Sequence, residues 1–211
     1  MTEILVFLLS YLLGSIPFAL IIGKYFYGVD VREYGSRNLG ASNTARVLGV
    51  RAGLAVAAGD VAKGCLAASL PYWFQLDVDP LLVGALAIVG HCFPVFAGFR
   101  GGKAAATTAG VFLLVNPPLF LTGFLTFVLT IVIFKYIALG TLLAGFALFI
   151  HAWIAGDPIY IVITGLLAVF FIYLHRSNIK NFIDGTELKV NDKRLKNDRI
   201  TPAQQKRTPS L

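Results

Sequence analysis

The sequence predicts an all-α fold, a polytopic membrane helix bundle of seven transmembrane helices, and three observations support this prediction. Of the 211 residues, 57% are hydrophobic and 14% are charged, and the mean hydropathy is +0.76, so a bilayer suits most of the chain. Apolar residues collect in seven segments separated by turn signals. Lysines and arginines gather in alternate connections, which predicts an outside amino terminus and a cytoplasmic carboxy terminus.

Length assigns each apolar segment to a helix. A helix rises ~1.5 Å per residue, so about 20 apolar residues cross a ~30 Å hydrocarbon core. The fourth segment has only 13 residues and is predicted to be a short or recessed helix. In chain order, the segments are residues 3–26, 53–74, 80–99, 103–115, 117–134, 136–155 and 158–175.

The first two segments contain features that need a separate reading. The first begins Met-Thr-Glu, lacks a basic leader and a cleavage site, and is therefore predicted to remain as a helix rather than a signal peptide. In the second, Asp60 and Lys63 stand three residues apart and can neutralise each other on one helix face. A structural ion pair and a functional one both remain open.

Cys65 and Cys92 are interpreted as packing residues, and we expect no metal and no cofactor.

The cations set the predicted topology. Residues 27–52 hold four arginines, Arg100 and Lys103 precede the fourth segment, Lys135 follows the fifth, and nine of the eighteen cations follow residue 175. The intervening connections hold none. If all seven segments cross, three polar stretches share the cytoplasmic face, and this inference depends on the short fourth segment crossing. These stretches are residues 35–46, 100–103 and 175–187.

Composition divides the chain into a single membrane domain, residues 1–187, and a basic polar cytoplasmic tail, residues 188–211. The tail's polar composition predicts partial disorder and a membrane-surface role rather than nucleic-acid binding. We assign it no chemistry.

The first polar stretch is typical of an anion-binding loop. Between Gly35 and Arg46 it crowds hydroxyls, amides and two guanidiniums, and such a loop can present backbone N–H groups to an anion. Ser42 or Asn43 could cap a helix that begins there, with Arg46 on its opening turns. A plain polar loop with topology-setting arginines is the alternative.

The second stretch places Gly101, Gly102 and Lys103 before the fourth segment. Exposed amides, the helix dipole and the lysine together favour an anion site. A P-loop is excluded because Ala97 and Ala104 stand where that motif requires Gly and Ser or Thr. A lysine that only anchors the span at the interface is the alternative.

The third stretch runs from His175 to Glu187. His175 and Asn178 are three residues apart, so they share a face if the helix continues, and a turn at Gly185 could fold Glu187 back. A lone interfacial histidine is the alternative for His175.

These stretches together resemble one family, the bacterial acyl-phosphate-dependent glycerol-3-phosphate acyltransferases of the PlsY type, which are membrane enzymes of seven spans. Arg37 stands where that family usually has glycine, and Ser42 where it has threonine. Serine keeps the hydroxyl, so only Arg37 leaves the loop geometry open. The resemblance is carried by Gly14–Phe18 in the first segment, Gly35–Arg46, Gly90–Thr107 and His175–Glu187.

The resemblance implies transfer of a fatty acyl group from acyl phosphate to the sn-1 hydroxyl of glycerol 3-phosphate, giving lysophosphatidic acid and phosphate, the first step of phospholipid synthesis. It implies a bacterial inner-membrane location with the active site facing the cytoplasm. The expected partners are the two substrates and membrane lipids, with no nucleic acid and no obligate protein partner. A small-anion or organophosphate transporter is the alternative function, although no internal repeat supports it.

The resemblance also implies a set of site residues. Lys103, Arg46 and the glycine amides would hold phosphate charge, and direct transfer is preferred over an acyl-Ser36 intermediate because the acyl phosphate is already activated. The general base is either His175 or a substrate phosphate oxygen. The implied catalytic residues are Ser36, Arg46, Lys103, His175, Asn178 and Glu187, and the implied substrate-binding residues are Asn38, Gly40, Ser42, Asn43, Gly101, Gly102 and Thr107.

Overall fold

The structure, a computed structural model, describes residues 1–200. Within that range the secondary structure is helical, with three short 3-10 helices at Val31–Glu33, Val95–Ala97 and Lys193–Asp198 and no strand. The predicted all-α class is confirmed for these residues. The α-helices are α1 Thr2–Gly14, α2 Phe18–Tyr27, α3 Ala41–Leu48, α4 Val50–Trp73, α5 Pro80–Cys92, α6 Ala105–Val115, α7 Pro117–Phe134, α8 Ile137–Ala155, α9 Pro158–Leu174 and α10 Arg176–Ile183.

Four of the described helical stretches are long and apolar enough to cross a membrane, namely α4, α5 with its 3-10 extension, α7 and α8. Two bent pairs raise the number to 6: α1 with α2, at 41°, and α9 with α10, at 58°. The short apolar helix α6 coincides with the predicted short fourth segment. The protein is therefore an integral membrane chain of helices.

Two of the predicted segments are interrupted. The first was expected to be continuous over residues 3–26, but α1 ends at Gly14 and α2 begins at Phe18. Pro17 has no N–H to continue the hydrogen-bond ladder and clashes with a preceding helical turn, so the chain bends there. The third, predicted over 80–99, remains one candidate span over Pro80–Ala97, although its α-helix ends at Cys92 and a 3-10 turn follows Pro94.

The first of two compact units contains residues 1–111 and, from the tail, residues 193–200. Its helix α1 packs on α4 and α5, and α2 and α3 pack on α4. Glycines allow the closest approaches, because a Cβ at Gly14 would overlap the backbone of Ala87, and one at Gly64 would overlap the carbonyl of Thr107. Small residues at such crossings are the usual basis of helix packing in lipid.

The second unit contains residues 112–192. Helix α8 packs against α7 and α9, and the outward faces of all three expose large apolar side chains that suit lipid. Lys135 ends α7 in a left-handed conformation, with φ 67°. Its carbonyl accepts the Val190 N–H at 2.8 Å, so the chain beyond α10 returns to the α7–α8 turn.

The predicted tail is partly structured. Residues 193–198 form a 3-10 helix, and Ile200, 7% exposed, joins the hydrophobic cluster around Val47 and Leu48. The Ile200 N–H donates to the Val47 carbonyl at 3.0 Å. Residues 201–211 of the predicted tail lie outside the described residues.

Candidate active site

The side chain of Asn43 organises the first polar loop. It is 2% exposed, and its Oδ1 accepts the Ser36 N–H at 2.8 Å. Its Nδ2 donates to the carbonyls of Val31, Tyr34 and Asn38 at 3.0, 3.3 and 3.1 Å. One amide therefore closes the loop around itself and holds Ser36 and Asn38 in place.

The predicted cap of the following helix is wrong. Helix α3 begins at Ala41 with Gly40 as its N-cap, and no side chain caps it. Asn43 is instead committed to the loop that precedes the helix, while Ser42 is an exposed residue of the first turn. Arg46 lies in the last turn of this short helix rather than on an opening turn.

Two residues of the first loop adopt left-handed backbone conformations. Gly35 has φ 57° and Arg37 has φ 59°. The left-handed region is readily open to glycine and disfavoured for a residue with a Cβ. Arg37, which stands where the family usually has glycine, thus keeps the conformation that a glycine would adopt without strain.

The second loop is built by tight backbone turns. Gly98, Phe99 and Ala104 have φ values of 62°, 60° and 57°, so left-handed residues flank the Gly101–Gly102 pair on both sides. Backbone strain of this kind concentrates at functional sites. Lys103 is partly exposed between Gly102 and Ala104.

Both glycines of this loop are required by close contacts with one residue, His91. A Cβ at Gly101 would overlap the His91 and Cys92 carbonyls, and a Cβ at Gly102 would overlap the His91 ring at Nε2. The Gly102 N–H also donates to the His91 carbonyl at 3.1 Å. In this structure the Gly102 amide, which was expected to bind phosphate, therefore bonds within the chain.

The first and second loops are bonded to each other. The Leu39 N–H donates to the Gly101 carbonyl at 3.4 Å, and the Arg32 Nη1 donates to the Ala97 carbonyl at 3.2 Å. Motifs more than 50 residues apart in sequence thus meet within the first unit.

Asp30 fixes the arginine that joins the loops. Its Oδ2 accepts the Arg32 Nη2 at 2.6 Å, and its Oδ1 accepts the Arg32 backbone N–H at 3.0 Å. Burial alone would raise the pKa of this carboxyl, but the hydrogen bonds and charge of Arg32, with the charge of Lys24, bring the pKa below its usual value. The sequence pattern offered little to distinguish Asp30 from other loop acids.

A cluster of buried polar side chains lies beneath the second loop. Lys63 Nζ pairs with Asp60 Oδ1 at 2.7 Å, so the predicted i, i+3 pair is present. His91 Nδ1 lies 3.4 Å from the same oxygen and 3.1 Å from Thr107 Oγ1. Thr107, expected to bind substrate, is 0% exposed and faces His91.

In the second unit, the third polar stretch is bent rather than continuous. Helix α9 ends and α10 begins at His175, so the continuing helix on which His175 and Asn178 would share a face is not formed. The His175 Nδ1 lies 2.9 Å from the Phe171 carbonyl. Because a carbonyl only accepts, this contact places a ring proton on Nδ1.

Glu187 folds back on α10, as the turn at Gly185 predicted. Gly185 has φ 68°, and Glu187 Oε1 accepts the Asn178 Nδ2–H at 2.7 Å while Oε2 accepts from Asn181 at 3.2 Å. The carboxylate thus orients the Asn178 amide.

The predicted site residues therefore fall into two groups. The implied roles toward substrate remain predictions for every one of them. The first unit contains Ser36, Asn38, Gly40, Ser42, Asn43, Arg46, Gly101, Gly102, Lys103 and Thr107, and the second contains His175, Asn178 and Glu187. Among residues 1–200, no three histidine, cysteine or acidic side chains are grouped so that they could hold a metal ion.

The fold and these loops define a helical integral membrane protein whose polar loops turn tightly at glycines and carry cations. Comparison with known proteins gives the particular family. The model of the family described as glycerol-3-phosphate acyltransferase matches residues 4–185. The chain belongs to this family and is an integral membrane acyltransferase.

Relatives and solved structures agree with the assignment. Glycerol-3-phosphate acyltransferase 2 of Bacillus anthracis is 52% identical over 89% of this chain and 99% of its own length, and the Bacillus subtilis enzyme is 47% identical over 88% and 96%. Two structures of PlsY, an integral membrane glycerol 3-phosphate acyltransferase, match with TM-scores of 0.84 and 0.80 at 34% and 33% identity. They are described as its glycerol 3-phosphate and lysophosphatidic acid forms, and the matches cover 90% of this chain and 96% and 95% of those chains.

Proposed function

We propose that this chain transfers a fatty acyl group from acyl phosphate to the sn-1 hydroxyl of glycerol 3-phosphate, releasing lysophosphatidic acid and inorganic phosphate. The observation that carries the proposal is the bond between the two loops, in which the Leu39 N–H donates to the Gly101 carbonyl at 3.4 Å. It joins the loop that precedes Arg46 to the loop that bears Lys103. Two cations on joined backbone loops suit a reaction whose donor and acceptor both carry phosphate.

Lys103 and Arg46 hold the phosphate groups in this proposal. The carbonyl of an acyl phosphate is already activated, so catalysis requires orientation of the glycerol hydroxyl and stabilisation of negative charge on the carbonyl oxygen and leaving phosphate. Direct transfer needs no covalent enzyme intermediate. The Ser36 backbone is held by Asn43, which accepts its N–H. In this proposal Ser36 orients a substrate by hydrogen bonding.

His175, Asn178 and Glu187 take part in the same reaction. His175 is one candidate general base for the hydroxyl proton, through Nε2, because Nδ1 donates to the Phe171 carbonyl. A phosphate oxygen of the substrate is the other acceptor for the hydroxyl proton. Glu187 keeps the Asn178 amide oriented through the bond at 2.7 Å.

The proposed topology has seven spans, with α6 as the short fourth span, the amino terminus outside and the carboxy terminus in the cytoplasm. Four helices and two bent pairs give up to 6 candidate spans. The crossing of α6 adds the seventh. The alternation of cations supports this orientation, and it gives the bacterial inner membrane enzyme a cytoplasmic active site.

The test is a reconstituted assay. Purified protein in lipid or detergent is mixed with acyl phosphate and glycerol 3-phosphate, and lysophosphatidate and phosphate are measured, with acyl-CoA as the alternative donor. With acyl phosphate as the donor, we expect lysophosphatidate and phosphate in equal amounts. With acyl-CoA as the donor, we expect no lysophosphatidate. Inactivity beside an active PlsY control, or preference for acyl-CoA, would overturn the proposal.

Variants of the two cations test the assignment of residues. Lys103→Ala and Arg46→Ala are expected to lower kcat/KM by at least about a hundredfold, since each removes charge stabilisation from the transition state, while monodispersity in detergent is kept. Wild-type rates in both variants would show that Lys103 and Arg46 only set the orientation of the chain in the membrane. A labelled acyl group trapped on Ser36 would replace direct transfer by a covalent mechanism.

A further inference from the structure

The buried cluster beneath the second loop has no part in the reaction as proposed so far, yet it contains two charged side chains. Lys63, Asp60, His91 and Thr107 are 3%, 2%, 4% and 0% exposed. Lys63 also donates to the Ile16 carbonyl at 2.9 Å. Ionisable groups inside a membrane protein are expensive, and such a group retained there is a candidate for function.

The cluster contacts the Gly101–Gly102 turn through His91. Asp60 and Thr107 both face Nδ1 of His91, which fixes the rotation of the imidazole ring. The opposite edge of the ring, at Nε2, lies where a Cβ of Gly102 would be. The His91 carbonyl accepts the Gly102 N–H at 3.1 Å. Ring and carbonyl together therefore form the surface on which the turn before Lys103 rests.

We propose that Asp60, Lys63, His91 and Thr107 are positioning residues that fix the Gly101–Gly102 turn and thereby the place of the bound phosphate. This inference rests on the proposed function. Lys63 compensates the charge of Asp60, Asp60 and Thr107 orient His91, and His91 supports the turn. None of the four needs to touch substrate, and Thr107 acts through His91 rather than as the substrate contact implied by the resemblance.

A pair of adjacent threonines gives a matched test. Thr107→Val removes the hydroxyl that faces His91, and Thr108→Val removes a neighbouring hydroxyl, also buried, for which no hydrogen-bond partner is found among the described residues. We expect Thr107→Val to raise the KM for glycerol 3-phosphate by about tenfold, the equivalent of ~1.4 kcal/mol, with kcat changed less than about threefold. Thr108→Val is expected to keep wild-type kinetics, and Thr107→Ser to recover most of the wild-type KM.

A double-mutant cycle separates action through His91 from direct substrate contact. His91→Asn keeps a donor close to the position of Nδ1, and in that background Thr107→Val is expected to change KM by a different factor than in wild type. Equal factors in both backgrounds, or wild-type KM in Thr107→Val, would overturn the positioning role. Equal losses in Thr107→Val and Thr108→Val would also overturn it, because packing alone would then explain them. Inactivity of the wild-type protein would instead overturn the proposed function.

A second and independent observation concerns the tail. The guanidinium of Arg46 pairs with the carboxylate of Asp198, although Arg46 is one of the two cations assigned to phosphate. Ile200 and its N–H anchor the same segment on Val47, and Arg199 lies against the backbone at Gly49. Residues 193–200 lie beyond residue 185, where the match to the family model ends.

We infer that residues 193–200 form an autoinhibitory strap, in which the Asp198 carboxylate competes with substrate phosphate for Arg46. The Asp198 carboxylate occupies Nε and Nη2 of Arg46, an edge of the guanidinium that also suits a phosphate, so the two anions compete for that edge. Arg46 and Asp198 are half-buried, with side chains 24% and 28% exposed, and an ion pair that is partly open to water is weak enough for a substrate phosphate to displace. The strap therefore tunes affinity and leaves the enzyme active.

The test compares two variants of equal charge change. Asp198→Asn is expected to lower the KM of the substrate that uses Arg46 by about two- to fivefold, since the competing state is lost, and Asp184→Asn, on the exposed end of α10, is expected to leave KM unchanged. Separate KM values for glycerol 3-phosphate and acyl phosphate, and inhibition by inorganic phosphate, identify which phosphate competes. Ile200→Ala is expected to act in the same direction as Asp198→Asn. An unchanged or raised KM for both substrates in Asp198→Asn would overturn the inference.

Discussion

At the scale of single residues, Asn43 shows how one amide can organise the whole first polar loop. Its carbonyl and amino groups are bonded to Ser36, Val31, Tyr34 and Asn38. Removing the amide leaves four buried or part-buried backbone groups without this partner, and an unpaired group away from water is costly. The effect of Asn43 on catalysis is therefore expected to pass through the stability of the loop.

Asn43→Ala is expected to lower the free energy of unfolding by about 1–3 kcal/mol and to raise the KM for glycerol 3-phosphate. Thermal unfolding in detergent and steady-state kinetics measure the two effects. Ser42→Ala serves as the stability control, since this exposed serine caps nothing, and its effect should stay within about 0.5 kcal/mol. An Asn43→Ala protein as stable as Ser42→Ala would show that the amide is not the organiser of the loop.

A second prediction at this scale concerns the stability of variants at Arg37. Its φ of 59° is unfavourable for an L residue by roughly 1–2 kcal/mol, partly offset because glycine gains entropy in the unfolded state. Arg37→Gly is therefore expected to be as stable as wild type or up to about 1 kcal/mol more stable. Arg37→Val, which places a β-branched side chain in the same conformation, should be less stable than Arg37→Gly. Thermal unfolding of both variants measures this order, and the reverse order would contradict it.

At the scale of elements, the sequence determined more about the helices than about the loops. Hydropathy located every long helix and the short α6, because burial in lipid acts on whole segments. The break at Pro17 and the bend at His175 depended on local backbone chemistry that segment length does not report. The contacts of His91 with Gly102 were missed, since spacing along the chain does not reveal which buried histidine supports which turn.

In the connection between α2 and α3, the bonds of Asp30 to Arg32 predict that stability depends on pH. Because the pKa of Asp30 lies below its usual 3.8 when folded, its bonds to Arg32 stabilise the protein above that pH, and this contribution is lost as pH falls through the folded pKa. Asp30→Asn is expected to be less stable than wild type by about 2 kcal/mol at pH 7, the scale of hydrogen bonds to charged groups. The difference should shrink below pH 3.8. Unfolding midpoints of both proteins across this range measure it, and a difference independent of pH would contradict the assignment.

At the scale of the whole molecule, one short helix decides the topology. α6 has 11 residues, which at ~1.5 Å per residue span about half of a ~30 Å hydrocarbon core. If α6 crosses, the connections before and after it lie on opposite sides of the membrane. If α6 only enters and returns, every connection after it changes side, and the alternation of cations would be broken from Lys135 onward.

Cysteine labelling distinguishes the two topologies. In a Cys65→Ala, Cys92→Ala background, a cysteine replaces Asp77, between α4 and α5, or Ala155, at the end of α8; both positions are exposed. With seven spans, both lie outside, so a membrane-impermeant maleimide should label both in intact cells, while Arg100→Cys should react only after permeabilisation. Labelling of Asp77→Cys without Ala155→Cys would show that α6 does not cross. That result would place His175 on the opposite side of the membrane from Lys103 and would exclude a single reaction served by both.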